Sequence, residues 1–105
     1  MAELGEGGVT ANLEMTEGGA PCIAIAGELD FSNAEGVRTV VDEALANDPE
    51  ELVFDLEKLS FMDSSGIAVL VHASNHARVL LRRPTPIVLR VIEVTGLTGT
   101  FTVAE

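Results

Sequence analysis

The 105-residue chain is predicted to fold as one α/β domain around a sheet of about five mostly parallel strands, with an antiparallel strand at its N-terminal edge. Three observations predict this. The length supports one hydrophobic core and not two. Nearly half of the residues are apolar but only four are aromatic, all Phe, so Val, Leu, Ile and Ala must fill the core. The hydrophobic period is two over Val9–Met15, after which short apolar runs alternate with helix-like stretches.

Residues 1–8 are rich in Gly and Glu without periodicity and are expected to fray. Val9, Ala11, Leu13 and Met15 alternate with Thr10, Asn12 and Glu14, as in a half-buried strand. Glu17-Gly18-Gly19-Ala20-Pro21 supplies a turn, and Cys22 to Leu29 returns as a second strand, completing a hairpin. Ser32 with Glu35 three residues on is a capping-box pattern, which places the start of the first helix there. Ala34, Val37, Val40, Val41, Ala44 and Leu45 line one face of it, and Asn47-Asp48-Pro49 ends it. Leu52 to Leu56 is a short apolar strand, and the single crossover helix before it makes it parallel to its predecessor in a right-handed βαβ unit. Met62-Asp63-Ser64-Ser65-Gly66 leads into a second helix, Ile67 to about His76, followed by a strand from Arg78 to Leu81. Thr85-Pro86 caps a third helix, closed by Gly96, and Phe101 to Val103 is the last strand.

The net charge of −11 is uneven: fifteen of the seventeen acidic residues precede Ser64, while four of the six basic residues follow it. Nucleic acid and anionic membranes are poor partners for such a surface. No apolar run approaches the ~20 residues of a membrane span, and the start lacks a secretory-signal pattern, so a cytoplasmic location is expected. The single cysteine, Cys22, lies in the apolar second strand and is expected to be a buried, inert thiol. His72 and His76 share a helix face but lack a third ligand, which predicts solvated histidines and no metal site. Gly-x-Ser-x-Gly, P-loop and Gly-x-Gly-x-x-Gly patterns are absent, so neither an enzyme nor a cofactor is expected.

The informative segment is Asp63-Ser64-Ser65-Gly66. A junction from a parallel strand into a helix lies at the carboxyl edge of the sheet, where unpaired backbone N–H groups favour anions. Two serines there are ordinarily caps. The longer pattern says more: Gly27-Glu28-Leu29-Asp30 after the second strand, Leu59-Ser60-Phe61-Met62-Asp63-Ser64-Ser65-Gly66 before the second helix, then Pro84-Thr85-Pro86 and Val94-Thr95-Gly96-Leu97. In this order and spacing, over residues 9–104, the chain resembles the STAS family of sulfate transporters and anti-sigma factor antagonists.

The resemblance implies helices packed mainly on one side of the sheet and a single domain over residues 1–105. It implies a bacterial partner-switching phosphoprotein, an anti-sigma factor antagonist that is not itself an enzyme. The unmodified form would bind an anti-sigma factor that is also a serine kinase and so release the sigma factor. Phosphorylation at Ser65, with Ser64 as a contact or minor acceptor, would end binding, and a metal-dependent serine phosphatase would restore it. The partner surface implied comprises Asp30, Met62, Asp63, Ser64 and Gly66, with Glu28 structural. Either Phe61 or Met62 is expected to be a partly exposed apolar anchor, the alternative being that both pack into the core. A monomer or weak dimer is expected.

Two departures from the family pattern stand out. Only fifteen residues separate Gly66 from Arg82, which predicts a short second helix or a displaced strand, and the sequence given ends at Glu105, where many relatives continue into a helix against the sheet. A more exposed sheet face, or a partner covering it, is the expectation. The alternative function is a STAS accessory subunit of an ABC-type membrane transport complex, in which Ser65 would be a structural or docking residue.

Overall fold

The alternating sequence pattern becomes a six-stranded sheet under three helices. A computed structural model describes residues 3–6 and 8–104, with side chains from Gly8 onward. The elements are β1 (Glu3–Glu6), β2 (Val9–Met15), β3 (Pro21–Leu29), α1 (Ala34–Leu45), β4 (Glu51–Met62), α2 (Ser64–Ser74), β5 (Arg78–Arg82), α3 (Pro86–Val94) and β6 (Thr102–Ala104). Strand order follows the chain from β1 to β6; β1–β2 and β2–β3 pair antiparallel, and every later pair is parallel.

The sheet therefore has one strand more than expected. Glu3–Glu6, within the stretch expected to fray, pairs with Val9–Asn12 of β2. Its residues alternate too briefly to register as a strand, and the neighbouring edge supplies the missing order. Met1, Ala2, Gly7 and Glu105 lie outside the described residues.

A sequential strand order with right-handed crossovers places every crossover helix on one face. The burial pattern agrees. Val9, Ala11, Ile23, Ile25, Leu52, Phe54, Leu56, Val79 and Leu81 form one cluster with Val37, Val40 and Val41 of α1, Leu70 and Ala73 of α2, and Val88 and Ile92 of α3. Residues of the opposite period, including Thr10, Asn12, Ala24, Asp55 and Arg82, line shallow depressions on the other face. Cys22 lies there too, buried as expected, and burial pushes its thiol up against the pull of the Arg82 cation.

β4 is twelve residues long, more than twice its expected length. Register shifts opposite Ala24/Ala26 and Gly27/Glu28 insert extra residues into it. The buried positions accordingly step Phe54, Leu56, Leu59, Met62, with intervals of two, three and three. Such bulges bend a strand and re-aim its side chains. Here they carry β4 to the sheet edge, where α2 begins at once. Ser60 Oγ donates to the Gly27 carbonyl and Thr85 Oγ1 to that of Leu59, so the irregular segment is held from both sides.

One helix start falls where it is expected and another does not. Thr85 caps α3 as expected, its hydroxyl accepting from the Val88 N–H, with Pro86 in the first helical position. For α1 the expected Ser32–Glu35 box does not form. Asn33 is the N-cap residue without a side-chain cap bond, and Ser32 turns its hydroxyl back to Asp30 Oδ1 at 2.6 Å. No helix is long and apolar enough to cross a membrane among the described residues.

Candidate functional site

Two adjacent connections, β3–α1 and β4–α2, meet at the carboxyl edge of the parallel strands. In the first, Asp30 Oδ1 accepts from both the N–H and the hydroxyl of Ser32, and buried Asn33 fastens the turn, its Oδ1 accepting from the Asp30 N–H and its Nδ2 donating to the Glu28 carbonyl. Asn33 is not among the residues singled out by sequence, although an Asn just before a helix is the available signal.

In the second connection there is no free loop. Helix α2 starts at Ser64 rather than at Ile67, with Asp63 as its N-cap. Asp63 Oδ1 accepts from the Ser65 N–H at 2.8 Å and Oδ2 from the Phe31 N–H at 3.3 Å, while the Asp63 N–H donates to the Leu29 carbonyl at 3.2 Å. One carboxylate thus caps a helix and staples the neighbouring loop. An N-cap contributes about 1 kcal/mol, and a further bond to a charged acceptor about as much or more. Asp63→Ala is expected to cost about 2 kcal/mol and Asp63→Asn about half of that, since Asn keeps one acceptor oxygen for the cap but turns an amide toward Phe31. Urea unfolding of the two variants checks the difference; equal midpoints would remove the staple from the account.

The staple displays Phe31, which is 86% exposed, the largest value for any large apolar residue described. The sequence places such an anchor at Phe61 or Met62 instead. Phe61 is 43% exposed, but Met62 is 1% exposed and packs beneath α2. Met62, expected as a contact residue, is thus packed inside the domain. Gly66 is also buried: a Cβ there would run into the Met62 side chain and approach Leu29 Cδ2 at 3.1 Å. Glycine follows Ser65 because α2 lies directly on Met62, and close packing accounts for it.

Between α1 and α2 runs a groove of about 570 Å³, lined by Phe31, Ser32, Glu35, Arg38, Ser65 and Val69 among others. Ser65 is half-buried at this groove, Ser64 is exposed beside it, and Asp30 and Asp63 are half-buried in the flanking turns. Of the five serines, Ser32, Ser60 and Ser74 spend their hydroxyls on Asp30, Gly27 and Val71. The Ser64 and Ser65 hydroxyls have no protein partner among the described residues. Farther along the groove, His72 is not the solvated residue expected. It bridges the helices, with Nε2 at 2.7 Å from Asp42 Oδ1 and Nδ1 at 3.3 Å from Arg38 Nη2, and the His76 ring stands edge-on to it.

A one-sided sheet that presents two serines at the capped start of a helix, beside an exposed aromatic, defines the class. The STAS domain family model matches residues 12–105, and the chain belongs to that family. Within it, the chain is 31% identical over 91 residues to an anti-sigma F factor antagonist of Lysinibacillus sphaericus, covering 81% of this chain and 78% of that one. Its structure is similar to that of the anti-sigma factor antagonist SpoIIAA in unphosphorylated form, with a TM-score of 0.76, 29% identity and coverage of 90% and 88%. It is also similar to the Bacillus cell fate determinant SpoIIAA in phosphorylated form, with a TM-score of 0.64, 27% identity and coverage of 90% and 91%. These relatives favour the antagonist over the transport-subunit alternative.

Proposed function

We propose that this chain is an anti-sigma factor antagonist switched by phosphorylation of Ser65. The observation that carries the reading is the hydroxyl of Ser65, without a protein partner among the described residues and held on the first turn of α2 at the rim of a groove whose other rim bears Phe31. The kinship with antagonists, one of them solved in a phosphorylated form, supports it. The unmodified groove edge receives an anti-sigma factor, which then releases its sigma factor in the cytoplasm.

The anti-sigma factor doubles as the kinase. The Ser65 Oγ attacks the γ-phosphorus of ATP held by the partner; the Oγ–P bond forms, the bond to the bridging oxygen breaks, ADP leaves, and the hydroxyl proton passes to a base of the kinase. This chain supplies only the nucleophile and is a substrate, not an enzyme. A serine phosphatase resets it by hydrolysing the ester.

The test is incubation with ATP and anti-sigma factor kinases from the same cell, followed by mass spectrometry of the peptide spanning Ser64 and Ser65. Phosphate on Ser65, absent from Ser65→Ala, is expected; modification confined to Ser64 or to neither residue would overturn the assignment. Phe31 should anchor the partner, because a rigid exposed aromatic at a contact centre dominates binding. Phe31→Ala is expected to weaken anti-sigma factor binding about tenfold or more, with the unfolding midpoint unchanged. Calorimetric titration of the variant checks this.

A further inference from the structure

Among the residues lining the α1–α2 groove, Arg38 is the one cation. Its engagement is slight: Nη2 meets the His72 Nδ1 at 3.3 Å, which leaves most of its five donors without a protein acceptor among the described residues. We propose that Arg38 is the receptor, within the same molecule, for a phosphate carried by Ser65, and that it gives up His72 to bind it. This rests on the reading that Ser65 is the modified residue.

The backbone at the start of α2 does not meet the need of a phosphate by itself. The Ser65 N–H already donates to Asp63 Oδ1, and the N–H groups of Gly66 and Ile67 donate to the Asp63 carbonyl at 3.0 and 3.2 Å. The Asp63 carboxylate beside them repels an added dianion. With only the Ser64 N–H left without an acceptor at the start of α2 among the described residues, a phosphate of roughly −1.5 to −2 charge must find its further donors across the groove.

Geometry favours Arg38. Helices α1 and α2 follow the parallel neighbours β3 and β4 and so run in the same sense, with both N-termini at the edge that bears Ser65. Arg38 and Ser65 line the same groove, and an arginine that has given up His72 is free to lean toward the N-terminus of its own helix, the usual direction of a long helical side chain, and so toward that edge. A guanidinium fork on phosphate oxygens forms charge-assisted, bidentate bonds, roughly twice as strong as neutral ones. The contact it replaces is one long bond to a ring nitrogen. The consequence reaches beyond repulsion: the phosphate–Arg38 pair spans the groove and occupies the surface that the partner needs, while His72 retains Asp42 alone.

The experiment uses full-length protein with phosphoserine genetically encoded at position 65, which dispenses with any kinase. Phosphorus NMR follows the second ionisation of the phosphate, which lies near pH ~6 in an unperturbed phosphoserine. Asp30, Glu35 and Asp63 raise it equally in every variant, whereas Arg38 lowers it. The midpoint is expected at least about 0.5 units lower in the parent than in Arg38→Gln, with Arg38→Lys recovering part of the difference. The His72 Nδ1 resonance should move when phosphate is present in the parent and stay in place in Arg38→Gln. Superimposable phosphate titrations of parent and Arg38→Gln, or a His72 signal blind to the phosphate, would overturn the proposal. Failure of cellular kinases to modify Ser65 would instead strike the functional reading and leave this result standing.

Discussion

Ser65→Asp is expected to weaken binding to the anti-sigma factor about 100-fold or more, while Ser65→Ala binds as the parent does. A factor of 100 is about 2.8 kcal/mol, the scale of burying an uncompensated carboxylate against a surface that already holds Asp30 and Asp63. Alanine is tolerated because the Ser65 hydroxyl holds no protein partner among the described residues. The fold does not suffer from the Ser65→Asp change either, since a negative side chain in the first turn of a helix is favourable by some ~0.3–1 kcal/mol. Lost affinity with undiminished stability is therefore the signature. Ser65→Asn separates charge from bulk and should bind within a few-fold of the parent. Salt should narrow the deficit of Ser65→Asp, because screening weakens repulsion at a partly solvated surface. Measured by calorimetry at two ionic strengths, a Ser65→Asp variant that binds as tightly as the parent would end the charge-switch account.

What the sequence discloses follows the local character of each signal. The strand at Val9–Met15 and the cap at Thr85 are legible because alternation and capping are written within a few residues. The second half of β4 is not: two bulges replace the period of two by steps of three, so Leu59 and Met62 look like loop residues although both are buried. The same bulges bring Asp63 to the edge and let α2 begin at Ser64.

The candidate site divides along similar lines. Ser65 and its neighbours are found through a family resemblance carried by a contiguous string. Phe31 lies just after one of the recognised motifs and carries no local signal, because its exposure is a tertiary effect. It depends on Asp30, Asn33 and Asp63 tying the turn from three directions. Met62 misleads for the converse reason: adjacency to Asp63 and Ser64 in sequence says nothing of direction, and the bulged end of β4 points the methionine inward, under Gly66.

The same bulge makes the largest stability effect fall on a residue remote from any partner. Gly27 has φ +96, a left-handed value that side chains avoid, and a Cβ there would strike the Gly8 carbonyl oxygen, backbone that cannot step aside. That carbonyl also accepts from the Glu28 N–H at 3.0 Å, so displacing it breaks a bond at the junction of β2 and β3. Strained dihedrals cost about 1–3 kcal/mol and overpacking a further ~1–3 kcal/mol, which puts Gly27→Ala near a loss of ~3 kcal/mol, a large part of the stability of a domain this size. The control is Gly8→Ala: Gly8 also has positive φ, +86, but its Cβ would meet nothing within 4 Å, so only the dihedral term of ~1 kcal/mol remains. Urea unfolding of both variants isolates the collision, and equal losses would show that the close approach of Gly27 to Gly8 contributes nothing. The outcome bears on function as well. Gly27 opens the Gly27-Glu28-Leu29-Asp30 string, and the Leu29 carbonyl receives the Asp63 N–H that aligns the two turns. A relaxed Gly27 segment should therefore loosen Phe31 and lower partner affinity even in protein that remains folded.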